Sequence, residues 1–175
     1  MTKSIALLRG VNVGGRNMLP MKSFAAALEG LGCENVRTYI QSGNAVYDGA
    51  PTSKDIAAAI KKAAGFAPPV FVLTLAALKK AAKACPFRKE AEMSGKSVHL
   101  FFLEKAPSKA GVVSLGDLKR PNEDFAVAGR VLYLYAGEGV ADSKIAVKID
   151  RVLETTTTAR NWNTVMKLIE LAEIK

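Results

Sequence analysis

Val36-Arg37-Thr38-Tyr39-Ile40-Gln41-Ser42-Gly43-Asn44-Ala45-Val46-Tyr47 is the stretch on which the fold turns. Val36 to Ile40 and Ala45 to Tyr47 are β-like runs, and the four residues between them are short, polar and contain a glycine. Two such runs joined by so brief a link read as a β-hairpin. Upstream, Ser4 to Arg9 holds the apolar run Ile5-Ala6-Leu7-Leu8 and reads as a short buried strand. Between that strand and the hairpin, Pro20 opens a helix, since its missing N–H is no loss in the first turn. Met21, Phe24, Leu28 and Leu31 then recur on one helical face, and Gly32 stands where a helix would end. Downstream, Thr52 or Ser53 caps a second helix with Ile56 and Ile60 inward, Pro68-Pro69 stops it, Val70 to Leu73 forms a strand, and Leu75 to Ala84 a third helix. The first half therefore reads β-α-β-β-α-β-α.

The same order returns after a polar stretch, 86–96. Ser97 to Glu104 reads as a strand, and Ser108 to Val113 as a turn or two of helix. Asp124 to Ala128 and Arg130 to Tyr135 form a hairpin about Gly129. Asp142 or Ser143 caps a helix through Leu153. The threonine-rich run Glu154 to Thr158 reads as extended, and a last helix starts at Ala159 or Asn161. One β-α-β-β-α-β unit is the split βαβ, or ferredoxin-like, motif. The expected class is thus α+β, a tandem duplication of ferredoxin-like α/β sandwich halves. The halves fall at 1–85 and 97–175, with 86–96 as linker, and each gains core by packing on the other.

Bulk properties narrow the field. The 175 residues are 49% hydrophobic and 23% charged, which excludes wholesale disorder. The longest uncharged stretch, Ala63 to Leu78, contains Gly65 and Pro68-Pro69 and is too short to span a bilayer as a helix. The apolar run near the N-terminus is too short for a secretory signal. A cytoplasmic protein without a membrane partner is expected. Cys33 and Cys85 form no CxxC pair, and two reduced, packed thiols are expected. The net charge is +9, and it is uneven: residues 1–90 carry 13 Lys/Arg against 5 Asp/Glu, whereas 91–175 carry 12 against 11. A polyanion would be drawn to the first half, unless Lys61, Lys62, Lys79, Lys80 and Lys83 are simply solvated helix faces.

Three polar segments could carry chemistry. Gly10-Val11-Asn12-Val13-Gly14-Gly15-Arg16-Asn17 joins a strand to a helix, where glycines let backbone N–H groups converge on an anion and Arg9 and Arg16 add charged donors. It matches neither the P-loop nor the dinucleotide fingerprint. The competing reading gives Gly14 and Gly15 to a tight turn alone. Gln41, Ser42 and Asn44 offer amides and a hydroxyl on the hairpin. The first loop and the hairpin are expected at opposite ends of their sheet, so that a shared site would need both halves. Arg160-Asn161-Trp162-Asn163-Thr164 is expected to open the last helix, either with Asn161 as its cap and Trp162 packed inward or with Arg160 and Asn163 presented at its positive end, and Lys144 stands at another helix start.

Catalytic equipment is sparse. His99 is the sole histidine, there is no GxSxG, and no His/Cys cluster suits a metal. No cofactor and no metal are expected. Tyr133 and Tyr135 share a strand face, open to base stacking only if no helix covers it.

Leu7-Leu8-Arg9-Gly10-Val11-Asn12-Val13-Gly14-Gly15, Tyr39-Ile40-Gln41-Ser42-Gly43-Asn44, Ser143-Lys144 and Ala159-Arg160-Asn161-Trp162-Asn163-Thr164 together resemble a bacterial family of uncharacterised proteins, domain of unknown function 1697. The resemblance implies a cytoplasmic protein with a duplicated ferredoxin-like arrangement, and it implies no activity. Three functions stay open. One is a non-catalytic binding module for an anionic small molecule, nucleotide or nucleic acid. The second is a small enzyme using the same polar loops. The third is a protein-interaction domain. The oligomeric state is not legible. Candidate ligand contacts are Arg9, Asn12, Gly14, Gly15, Arg16, Gln41, Ser42, Asn44, Lys144, Arg160 and Asn163.

Overall fold

A computed structural model describes residues 1–174. The chain begins with β1 (Lys3–Leu8), whose Ile5 to Leu8 are all buried. Proline-led α1 (Met21–Glu29) follows. The expected hairpin is present as β2 (Glu34–Tyr39) and β3 (Asn44–Asp48). Next come α2 (Ser53–Ala64) and β4 (Val70–Thr74). Thr52 caps α2 reciprocally with Asp55: each side chain satisfies the other's backbone N–H. Helices α3 (Leu75–Lys83) and α4 (Arg88–Met93) lead to β5 (Val98–Leu103) and α5 (Lys109–Gly116). The second hairpin is β6 (Glu123–Ala128) and β7 (Val131–Ala136), followed by α6 (Lys144–Leu153), β8 (Thr157–Asn161) and α7 (Trp162–Glu173).

The architecture is α+β, with two four-stranded antiparallel sheets and, among the described residues, seven helices. The strand orders are β2-β3-β1-β4 and β6-β7-β5-β8. Packing divides the chain into one unit of Met1–Lys79 with Lys167–Lys175 and another of Lys80–Met166. The stretch 86–96 between the expected halves holds α4, whose Ala91 is buried. The C-terminal half of α7 groups with the first unit rather than with the residues that precede it.

In the first unit α1 and α2 cover one sheet face. Phe24, Leu28, Ile56 and Ile60 meet Ala6, Leu8, Ala45 and Tyr47 there. Leu31, expected on the inward face of α1, is instead exposed: α1 ends two residues earlier and Gly32, at φ +81°, turns the chain away. In the second unit α5 and α6 meet Phe101, Leu103, Leu132 and Leu134. The opposite face of that sheet is covered as well. The Tyr133 hydroxyl donates to the Ala81 carbonyl at 2.7 Å, and Tyr135 lies against Phe87 with ring centroids 6.1 Å apart. Tyr133 is fully buried, so this face is core and not an open platform for bases.

The end of the chain departs from the sequence expectation. Glu154 does not start a strand but ends α6 in the left-handed conformation, at φ +50°. The strand begins at Thr157 and runs through Arg160 to Asn161. Arg160 is therefore paired in a sheet, opposite Leu100, and not presented at a helix start. Asn161 closes the strand and caps α7, its Oδ1 accepting from the Thr164 N–H at 2.9 Å. No described helix is long and apolar enough to cross a membrane.

Candidate functional site: the β1 exit and the first hairpin

Strands β1 and β3 run antiparallel with Leu7 opposite Asn44. The carboxyl end of β1 and the β2–β3 turn therefore lie at one end of the first sheet. This corrects the expectation that they sit at opposite ends: strand β3 enters the sheet where β1 leaves it. The Leu8 N–H donates to the Gly43 carbonyl at 2.8 Å. Gly43 allows this approach. It has φ +82°, and a Cβ there would stand 2.7 Å from Leu8 Cβ and 2.8 Å from Val11 Cγ2.

Asn12 fastens the two segments. Its Oδ1 accepts from the Leu19 N–H at 2.8 Å, and its Nδ2 donates to the Leu19 carbonyl at 2.9 Å and to the Gln41 carbonyl at 2.8 Å. One carboxamide thus closes the 10–19 loop and ties it to the hairpin. Asn12 adopts φ +54° to do so, a conformation that asparagine tolerates better than most residues. Asn17 repeats the device, donating from Nδ2 to the Gly10 carbonyl at 3.0 Å. Within the loop the Arg16 N–H donates to the Val13 carbonyl at 3.0 Å across Gly14 and Gly15, both with positive φ. That is a two-residue turn of the kind two glycines favour.

The charged and amide groups differ in their freedom. Arg16 and Gln41 are exposed, and Gln41 meets Asn12 through its backbone carbonyl, leaving its carboxamide to solvent. Arg9 is half-buried, its N–H donating to the Pro69 carbonyl at 3.0 Å. Asn44 is fully buried and shapes the turn, donating to the Tyr39 carbonyl and to Ser42 Oγ, each at 2.9 Å. Sequence reasoning missed three residues at this end. Val13, Met18 and Ile40 are exposed apolar side chains, and Ile40 holds φ +46°. A β-branched residue in that region is strained and marks a position fixed by its surroundings. The available signal was an isoleucine placed directly against a polar turn.

The remaining candidates lie in the second unit and do not form one constellation there. Lys144 is exposed in the first turn of α6, which Ser143 already caps. Asn163 is exposed at the start of α7 and lies over Gly95, where a Cβ would stand 1.9 Å from its Oδ1. Arg160 is buried, with Nη1 donating to Thr158 Oγ1 at 2.9 Å and to the Ala159 carbonyl at 2.8 Å. Burial pulls its guanidinium down to about 10.

Acid–base and nucleophilic groups are ill placed for chemistry. His99 shares the inward sheet face with Phe101 and Leu103, its Nδ1 is buried without a partner, and burial lowers it to about 4. Cys33 and Cys85 are free and buried, and burial raises both thiols, which makes them poor nucleophiles at neutral pH. No group of three His, Cys, Asp or Glu able to hold a metal occurs among the described residues. Two concavities of the first unit, about 350 Å³ beside Cys33 and Gly49 and about 740 Å³ between α1 and α2, have none of the sequence-predicted contacts in their walls.

Among solved structures, the conserved bacterial protein SP0830 from Streptococcus pneumoniae is similar to this chain, with a TM-score of 0.68 at 21% identity over 98% of this chain and 99% of that one. That likeness speaks to the fold. No curated protein matches. The family model described as Protein of unknown function (DUF1697) matches residues 1–133, which takes in the β1 exit and the first hairpin and leaves Ser143-Lys144 and the Ala159–Thr164 segment outside. With three quarters of its length so matched, the chain belongs to the DUF1697 family.

Proposed function

We propose that this protein is a non-catalytic binding module for an anionic ligand, docking at the β1 exit of the first unit. The observation that carries the reading is the threefold Asn12 clamp, which fixes a glycine-rich loop bearing Arg16 against the Gln41 turn. A loop held this firmly loses little freedom on binding, which is what a preorganised site requires. Arg16 supplies a free guanidinium, suited to the bidentate recognition of phosphate or carboxylate. Exposed Val13, Met18 and Ile40 supply apolar surface at the same end. That pairing favours a ligand with a flat apolar part and a charged part, such as a nucleotide or a short single strand. The excess of Lys and Arg in residues 1–90 would speed its capture. In this reading each unit is a ferredoxin-like half, the order β2-β3-β1-β4 and its repeat β6-β7-β5-β8 both matching the split βαβ arrangement.

Thermal denaturation with pyrophosphate, nucleoside phosphates and short single-stranded oligonucleotides tests the reading, since a ligand of the folded state raises its midpoint. A rise that shrinks with added salt and is lost in Arg16→Ala supports it. No rise with any of these at low salt, or a rise untouched by Arg16→Ala, refutes it.

A further inference from the structure

We propose that β6 is a self-association edge, and that two copies of this chain join antiparallel along it into one eight-stranded sheet. In each four-stranded sheet the strand that follows the first helix lies at an edge: β2 in the first unit, β6 in the second. The two edges are built differently. Strand β2 carries a register shift between Glu34 and Arg37, holds Asn35 at φ +51°, and sends Arg37 Nη1 to the Ile174 carbonyl. A bulged, charged edge resists pairing with another strand.

Strand β6 has none of these guards. All six of its residues pair with β7 without a shift, and Phe125-Ala126-Val127-Ala128 contains no charge and no proline. The two-residue turn Gly129-Arg130 makes Ala128 and Val131 a bonded pair, so Ala126 and Asp124 also bond inward. The N–H and C=O groups of Phe125 and Val127 then face outward. The Phe125 N–H is met by Asp124 Oδ1 at 3.0 Å, whereas those of Val127 are left to the edge. Ala126 and Ala128 are too small to obstruct an approaching strand.

Charge selects the occupant. Asp124 is exposed at the start of the edge, its Oδ1 shared by the Phe125 N–H and Lys119 Nζ, the latter at 3.2 Å. Arg130 is exposed at its end, where Nη1 donates to the Glu104 carbonyl at 3.2 Å. Pairing between copies exchanges these weak surface contacts for an Asp124–Arg130 pair. A second copy running antiparallel about a two-fold axis at Val127 exchanges two Val127 hydrogen bonds and sets each Asp124 toward Arg130 of the other copy. A parallel copy would stack like charges instead. Such an interface is isologous and closes at two copies.

Sedimentation equilibrium of the full chain, from about 1 µM to about 1 mM, reads the association, a single strand pair being a small interface. The wild type should move from one chain mass toward two. Val127→Pro removes the outward N–H at a position where an edge strand tolerates proline, and Ala128→Lys places a charge on the rim. Both should stay at one chain mass with unchanged far-ultraviolet dichroism, and Ala128→Lys decides alone if the proline variant does not fold. Asp124→Lys should weaken association about tenfold, and adding Arg130→Glu should restore it. A wild type that stays monomeric throughout overturns the proposal, even if it captures an extended peptide. So does a dimer that ignores both Val127→Pro and Ala128→Lys.

Discussion

His99 gives the fold a defined acid sensitivity. Alternation along β5 places it on the inward face with Phe101 and Leu103, between Leu134 on β7 and Asn161 on β8. Its Nδ1 is buried without a partner, and burial holds the imidazole at about 4 instead of 6.5. The neutral ring is therefore the form the folded state prefers. Above pH 6.5 the ring is neutral folded or unfolded, and no penalty arises. Between pH 6.5 and 4 the unfolded chain takes up the proton and the folded one does not, so stability falls as the pH is lowered. The loss is about 1 kcal/mol by pH 5.5 and levels off at about 3 kcal/mol below pH 4. Against a total of roughly 5–15 kcal/mol this is a large fraction. Urea denaturation of wild type and His99→Leu at several pH values isolates it. The difference between the two proteins should change by these amounts, while carboxylate effects common to both cancel. A His99 ring that titrates above pH 6 in the folded protein by NMR, or a difference that does not vary with pH, refutes the reasoning.

The remaining predictions concern the hairpin, the loop and two tyrosines. Gly43→Ala forces a side chain into φ +82° and within 3 Å of Leu8 and Val11, and should cost about 2–4 kcal/mol in chemical denaturation. Asn12→Ala strips partners from the Leu19 amide and from the Leu19 and Gln41 carbonyls. It should cost about 1–3 kcal/mol and speed amide exchange across residues 10–19. The two buried tyrosines should respond in opposite ways. Tyr47 keeps a buried hydroxyl without a partner, so Tyr47→Phe should be neutral or stabilising. Tyr133→Phe loses the bond to the Ala81 carbonyl and should cost about 1 kcal/mol.

Much of the fold was legible because local chemistry and tertiary context agree. The Gly129 hairpin, the proline start of α1 and the Thr52 and Ser143 caps all state their structure within a few residues. The strand β8 was misread because its strongest local signal is misleading. Glu154 to Thr158 has the threonines, yet Asp150 accepts backbone bonds from both Glu154 and Thr155 as α6 closes. The strand then runs on through Ala159 and Arg160, where pairing with β5 overrides propensity. The meeting of the 10–19 loop with the first hairpin was implicit in the topology. Once β1 and β3 are neighbours and antiparallel, the two turns must share an end. The Asn12 clamp had no local signal, because its Gln41 partner is 29 residues away and acts through the backbone. The strain at Ile40 was similarly hidden, since it is a property of φ and not of residue pattern.

Backbone amide NMR of the full chain, titrated with pyrophosphate at low ionic strength, bears most directly on the anion site. The account predicts saturable shifts concentrated at residues 13–17 and 41–42, abolished by Arg16→Ala and diminished by salt. Shifts spread instead over the lysines of α2 and α3, or an unmoved 10–19 loop, would contradict it.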